Sequence, residues 1–78
     1  MTRESALALI DAERARAREI HGDACIDSPT VSEAIKLLVL QEELGEVARS
    51  ILDTGKADRA ELVQLTGACL AWLQRMDA

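Results

Sequence analysis

Apolar residues recur along this chain at three- and four-residue spacing, and no stretch alternates in the way that predicts a strand. Ala6, Leu9, Ile10, Glu13, Ala17 and Ile20 trace one face of a first helix, expected over about residues 2–21, with Gly22 as its stop. The Arg14-Ala-Arg16-Ala-Arg18 run alternates, but its unbranched, Ala-rich composition favours helix. Residues 22–28 read as a loop. Two start signals then compete: Ser28-Pro29, with proline in a first turn, and the capping box Thr30-Val-Ser-Glu33. Either places the start of a second helix near 29–31, and that helix is expected over about 30–53, with Gly55 as terminator. Asp58-Arg-Ala-Glu61 is a further capping box, which opens a third helix over about 58–76. The short link between the last two helices predicts an antiparallel hairpin. The expected fold is therefore all-α, a three-helix protomer in a single domain over residues 1–78.

The second helix departs from plain amphipathicity. Leu37, Leu40, Leu44, Val47, Ala48 and Ile51 form the expected core stripe, yet Ile35, Leu38 and Val39 lie on the other side. A helix apolar nearly all round is buried on more than one side. In so short a chain the second side calls for another subunit, so the expected assembly is an oligomeric helical bundle, a homodimer or homotetramer. On the third helix the expected core stripe is Leu62, Leu65, Thr66, Cys69, Leu70, Trp72, Leu73 and Met76. Its flank carries Glu61, Gln64, Ala68, Ala71 and Arg75, where small residues leave room for one wall of a cavity.

Composition sharpens the case for partners. The chain has 78 residues and one aromatic, Trp72, so a lone protomer buries little. Net charge is −5, and residues 1–21 are neutral, so the excess of acid lies in residues 22–78. That balance argues against nucleic-acid binding, which needs clustered Lys and Arg, and suits a divalent cation. Cys25 and Cys69 form no C-x-x-C pair and are expected to be reduced thiols of a cytoplasmic protein. No signal design opens the chain, and no apolar run approaches the roughly 20 residues that span a bilayer.

The candidate chemistry is acidic. Glu42, Glu43 and Glu46 project from neighbouring turns of the second helix, where like charges repel unless a cation neutralises them. In an antiparallel hairpin Glu61 pairs in height with the C-terminal half of the second helix. Gln64 and Ala68 fall closer to Glu46 and Glu43, so the two polar steps can converge. A Glu-rich face is also what a merely solvated helix shows. Glu13, on the apolar face of the first helix, is either a substrate contact across the bundle or an edge residue with a packed stem. Arg14 and Arg16 are read as a solvated face that could meet a phosphate, His21 as a helix-end residue favoured by the dipole. Trp72 is read as core rather than a base-stacking residue, and Asp53 as a turn residue.

Residues 37–48, Leu-Leu-Val-Leu-Gln-Glu-Glu-Leu-Gly-Glu-Val-Ala, resemble the Glu-Glu-x-x-Glu signature of MazG-like nucleotide pyrophosphohydrolases. Glu61-Leu-Val-Gln64 stands where that family carries Glu-x-x-Asp. The resemblance implies an all-α oligomer whose acidic positions hold Mg²⁺, with Mn²⁺ as a substitute. It implies hydrolysis of a nucleoside triphosphate to a monophosphate and pyrophosphate. Carried over, Glu43, Glu46, Glu61 and Gln64 are the metal ligands, and Glu42 and Glu43 are catalytic. Glu13, Arg16, Lys36 and Arg75 are the expected substrate contacts. Gln64 departs from the pattern, because an amide oxygen coordinates a cation but carries no charge and cannot act as a base. The alternative is a catalytically weakened or inert helical oligomer that binds a nucleotide or a protein.

Overall fold

A computed structural model describes residues 1–77. Its described residues form three α-helices and no strand: α1 over Arg3–His21, α2 over Glu33–Thr54 and α3 over Arg59–Arg75. A single 3₁₀ turn, Gly22–Ala24, follows α1.

Local capping chemistry sets most of the helix ends. Thr2 caps α1 by accepting from the Ser5 amide, and Ser5 Oγ in turn accepts from Thr2 N, both at 3.0 Å. Gly22 stops α1 at φ 53°, and Gly55 stops α2 in the left-handed region at φ 81°. The second helix starts later than either expected signal. Its cap is Ser32, whose Oγ accepts from Ile35 N at 3.2 Å. Ser28 and Thr30 are drawn instead into the preceding turns. Their hydroxyls share a 2.8 Å hydrogen bond, and Thr30 Oγ1 donates to Asp23 O. Asp58 caps α3 through Glu61 N at 3.1 Å, but the return half of that capping box is absent. The Asp58 amide donates to Ser50 Oγ on α2 at 3.0 Å, which leaves the Glu61 carboxylate free.

The third helix packs against both others, whereas the backbones of α1 and α2 stay apart. What lets α3 take the middle is its row of small residues. Gly67, Ala68 and Ala71 are buried, and a Cβ on Gly67 would sit 3.3 Å from Cδ of Arg14 on α1. Ile26, Ala68 and Ala71 form the small core, with Val39 and Leu40 against it.

The expected core stripes on α2 and α3 are split: Leu40, Val47, Leu65, Leu70 and Trp72 are buried or half-buried, and the rest turn outward. Leu37, Leu44 and Ile51 of α2 are 50%, 57% and 46% exposed, and Leu62, Thr66, Cys69, Leu73 and Met76 of α3 are exposed too. The inward face of α2 carries Lys36, Val39, Leu40, Glu43, Val47 and Ser50. On α3 the face expected as a flank, Glu61, Gln64, Ala68, Ala71 and Arg75, is the one that packs. Close helix approach selects small side chains, and that geometric demand outranks apolar count in choosing the inner face of this protomer.

Arg14 corrects another expectation. It is not solvated but 6% exposed. Its Nη2 donates to Cys25 Sγ at 3.2 Å and lies 3.3 Å from Asp27 Oδ2, which also accepts from Arg18 Nε at 2.9 Å. This cluster fastens the 22–28 segment to the end of α1. Trp72 is half-buried, and its Nε1 donates to Glu33 Oε2 at 2.8 Å, tying the end of α3 to the start of α2. Both cysteines are free, and no helix among the described residues is long and apolar enough to cross a membrane.

Candidate metal centre

The carboxylates that the sequence places on successive turns of α2 meet the first turn of α3. Glu43 and Glu46 are one turn apart, and the hairpin brings Glu61 opposite them. One carboxylate oxygen from each of these three residues lies within 4.8 Å of the other two. Two local devices aim them there. Ser50 takes the amide of Asp58 and so releases Glu61 from its cap. The inward roll of α2 then buries part of Glu43, which would otherwise sit on an open face.

Two of their oxygens are left unsatisfied by the described residues. Glu43 Oε2 and Glu61 Oε2 are sealed from solvent with no hydrogen-bond partner among the described residues. Such oxygens are costly to leave unpaired. Arg49 lines the same groove as Glu46 but forms no ion pair with it; the ion pairs of the described residues all lie on or beside α1. The electrostatics follow. Desolvation, then repulsion from Glu46, Glu42 and Glu13, holds the Glu43 carboxyl above its ordinary value despite the opposing charge of Arg16. A hydrogen bond with the Glu46 carboxyl, then desolvation and the charges of Glu46, Glu43 and Asp58, raises that of Glu61. Three carboxyls so placed either share protons or share a cation.

The centre lies between two hollows. A cavity of about 300 Å³ occupies the gap between α1 and α2, and α3 contributes Gln64 and Ala68 to it. Glu13, Arg16, Glu42 and Glu43 line it together, so five of the expected residues share this chamber once Gln64 is included. Glu13 is bound to Arg16 by two hydrogen bonds of 2.7 and 2.6 Å, and that pairing holds its carboxyl below the ordinary value. On the other side an open groove of about 700 Å³ is lined by Glu42, Glu46, Asp53 and Glu61. Glu42 borders both hollows. Asp53 belongs to the last turn of α2 rather than to the link. Lys36 and Arg75 do not join this group; they line a separate cavity with Trp72 at the other end of the hairpin.

Two participants escape a reading by residue type. Arg14 lines the α1–α2 chamber, and its buried Nε has no partner. Its position between Ile10 and Ala17, four residues after one and three before the other, is the signal that placed it on the inner face. Ser50 acts through a backbone amide eight residues away, and no spacing rule reaches that bond. No protein-family model, curated protein or solved structure matches the chain.

Proposed function

We propose that the chain is a Mg²⁺-dependent nucleoside triphosphate pyrophosphohydrolase. The carrying observation is the convergence of Glu43, Glu46 and Glu61 from two helices onto one point, with two of their oxygens buried and unpaired. It adds weight to the resemblance of residues 37–48 to the MazG-like signature.

The donor set fits the ion. Hard cations take carboxylate oxygens, and Mg²⁺ keeps waters and substrate phosphates in its remaining positions. Glu43, Glu46 and Glu61 would hold it, and the ion would supply charge neutralisation for phosphate and a more acidic water. Glu42, at the border of the two hollows, orients that water and accepts its proton. The water oxygen bonds to the α-phosphorus, the α–β bridging bond breaks, and pyrophosphate departs with the bridging oxygen. The α1–α2 chamber holds the nucleoside, with Arg16, fixed by Glu13, at its wall.

Pyrophosphate release from a panel of nucleoside triphosphates with Mg²⁺ or Mn²⁺ tests this. Turnover is expected to fall about 10²-fold or more in Glu43→Gln and Glu46→Gln. Turnover that persists in both variants would sink the assignment. Gln64 favours a second reading, a cation-binding oligomer without turnover, in which Mg²⁺ raises the melting temperature but no pyrophosphate appears.

The outward apolar stripes support a homo-oligomer, dimer or tetramer, as the working form. Leu37, Leu44 and Ile51 recur every seven residues on one exposed face of α2. Burying each such side chain contributes about 1.5–3 kcal/mol. Light scattering is expected to give a multiple of the 8.5 kDa chain mass, falling to one chain in Leu44→Asp/Ile51→Asp. A wild-type mass of 8.5 kDa refutes it. Two free thiols fit a reducing compartment, the cytoplasm.

A further inference from the structure

Lys36 is 3% exposed, yet its amine has no hydrogen bond and no ion pair among the described residues. Glu33, one turn earlier on α2, is the acid placed to pair with it. That carboxylate is committed elsewhere, to the Trp72 indole at 2.8 Å. The stem is buried, and the amine opens only onto the cavity it lines, with no counter-charge among the described residues. Lys36 lines a cavity of about 300 Å³, and Arg75, also without an ion pair, lines it from α3. Ser32 and Glu33 bring the N-terminus of the 22-residue α2 to the same wall. Ser32 Oγ satisfies only Ile35 N there, so the amides of Glu33 and Ala34 remain open donors of the first turn.

Two cations and the positive end of a helix dipole therefore converge on one hollow, against one carboxylate among its described lining residues, and that one is already engaged. We infer that this cavity is an oxyanion site for a phosphate group, held by Lys36, Arg75 and the first turn of α2. It is separate from the carboxylate centre, since none of its lining residues borders the hollows around Glu43, apart from Val31 at the far end of the α1–α2 chamber. Lys36 supplies a point charge, and Arg75 supplies the planar fork that matches a phosphate edge. The inference does not depend on the hydrolase reading.

Trp72 is the sole aromatic residue and lines the cavity, so its emission reports occupancy directly. The test titrates inorganic phosphate into the full chain in EDTA, with chloride holding ionic strength constant. A saturable change in emission is expected. It disappears in Lys36→Met, survives in Glu43→Gln/Glu61→Gln, and needs about tenfold more phosphate in Arg75→Gln. Parallel titrations with a nucleoside monophosphate and with pyrophosphate identify the source of the phosphate group, by which one saturates at the lowest concentration. No saturable change in wild type, or an equal change in Lys36→Met, overturns the site. If Lys36→Met fails to fold by circular dichroism, Arg75→Gln decides: unaltered affinity there also overturns it.

Discussion

Asp27 and Glu43 are both carboxyls drawn into the protein, and they are treated in opposite ways. Asp27 sits among Arg14, Arg18 and Cys25. Burial opposes its ionisation more than any other single effect, but hydrogen bonds from Arg18 and Cys25 and the charge of Arg14 together outweigh it. Its pKa is lowered. Glu43 sits among Glu46, Glu42 and Glu61, and its pKa is raised. The chain thus has the means to neutralise an inward acid and uses them at the end of α1. Along the α2–α3 hairpin it does not. The lesson is one of purpose: a paired carboxylate fastens a segment, whereas a cluster of unpaired ones fits the cation proposed above.

The largest way to break this contrast is to remove the paired acid. Asp27→Ala leaves Arg14 buried with only Cys25 beside it. The expected cost is about 2–3 kcal/mol, below the full range for buried pairs because the Asp27 side chain keeps 22% of its exposure. Thermal unfolding should show a fall of about 10–20 °C. A change within error would mean that the cluster fastens nothing.

Removing an unpaired acid should do the reverse. Glu43→Gln relieves like-charge repulsion and is expected to stabilise the metal-free protein by a few tenths of a kcal/mol, about 2 °C in melting temperature. It should also abolish the Mg²⁺-dependent rise expected of the wild type. A variant that melts lower without metal contradicts the repulsion among these carboxylates. The pH dependence sharpens the same contrast by the smallest effect. A raised folded-state pKa means that the native state holds its proton longer than the unfolded one. Stability from Glu43 and Glu61 is thus present at low pH and lost as pH rises through and above the ordinary glutamate range, about pH 4–6. The lowered pKa of Asp27 acts the other way, giving stability above the ordinary aspartate range that is lost as pH falls through it. Melting curves from pH 3 to 7 should lose the first slope in Glu43→Gln/Glu61→Gln and in saturating Mg²⁺, and keep the second (about pH 3–7 covers both ranges).

The helices were legible from their ends. Gly22 and Gly55 each act through a local rule and stand where that rule puts them, and Asp58 caps α3 through half of its expected box. The start of α2 was not, because Ser28 and Thr30 found partners in the loop that a helix-only reading leaves out. The convergence of Glu43, Glu46 and Glu61 follows from a hairpin and a three-residue step, so the sequence carried it. Which face of α3 turns inward, and how far α2 rolls away from its expected stripe, was hidden, since periodicity ranks faces by apolar content while packing ranks them by how closely Gly67, Ala68 and Ala71 let helices approach. Lys36 and Arg75 read as substrate contacts by charge alone. Their distance from the acidic residues along α2 and α3 sets them apart.

Cys25 and Cys69 differ in one respect that charge does not touch. Cys69 faces solvent, and Cys25 is 3% exposed behind the Arg14–Asp27 clasp. A disulfide reagent therefore meets two clocks in one chain. Cys69 reacts at once, and Cys25 waits for the 22–28 segment to swing away from α1. The slow phase, followed by absorbance of the released thiolate, times that opening in the native protein, and Asp27→Ala should quicken it while leaving the fast phase alone. A single phase would mean that the segment opens as freely as the surface of α3.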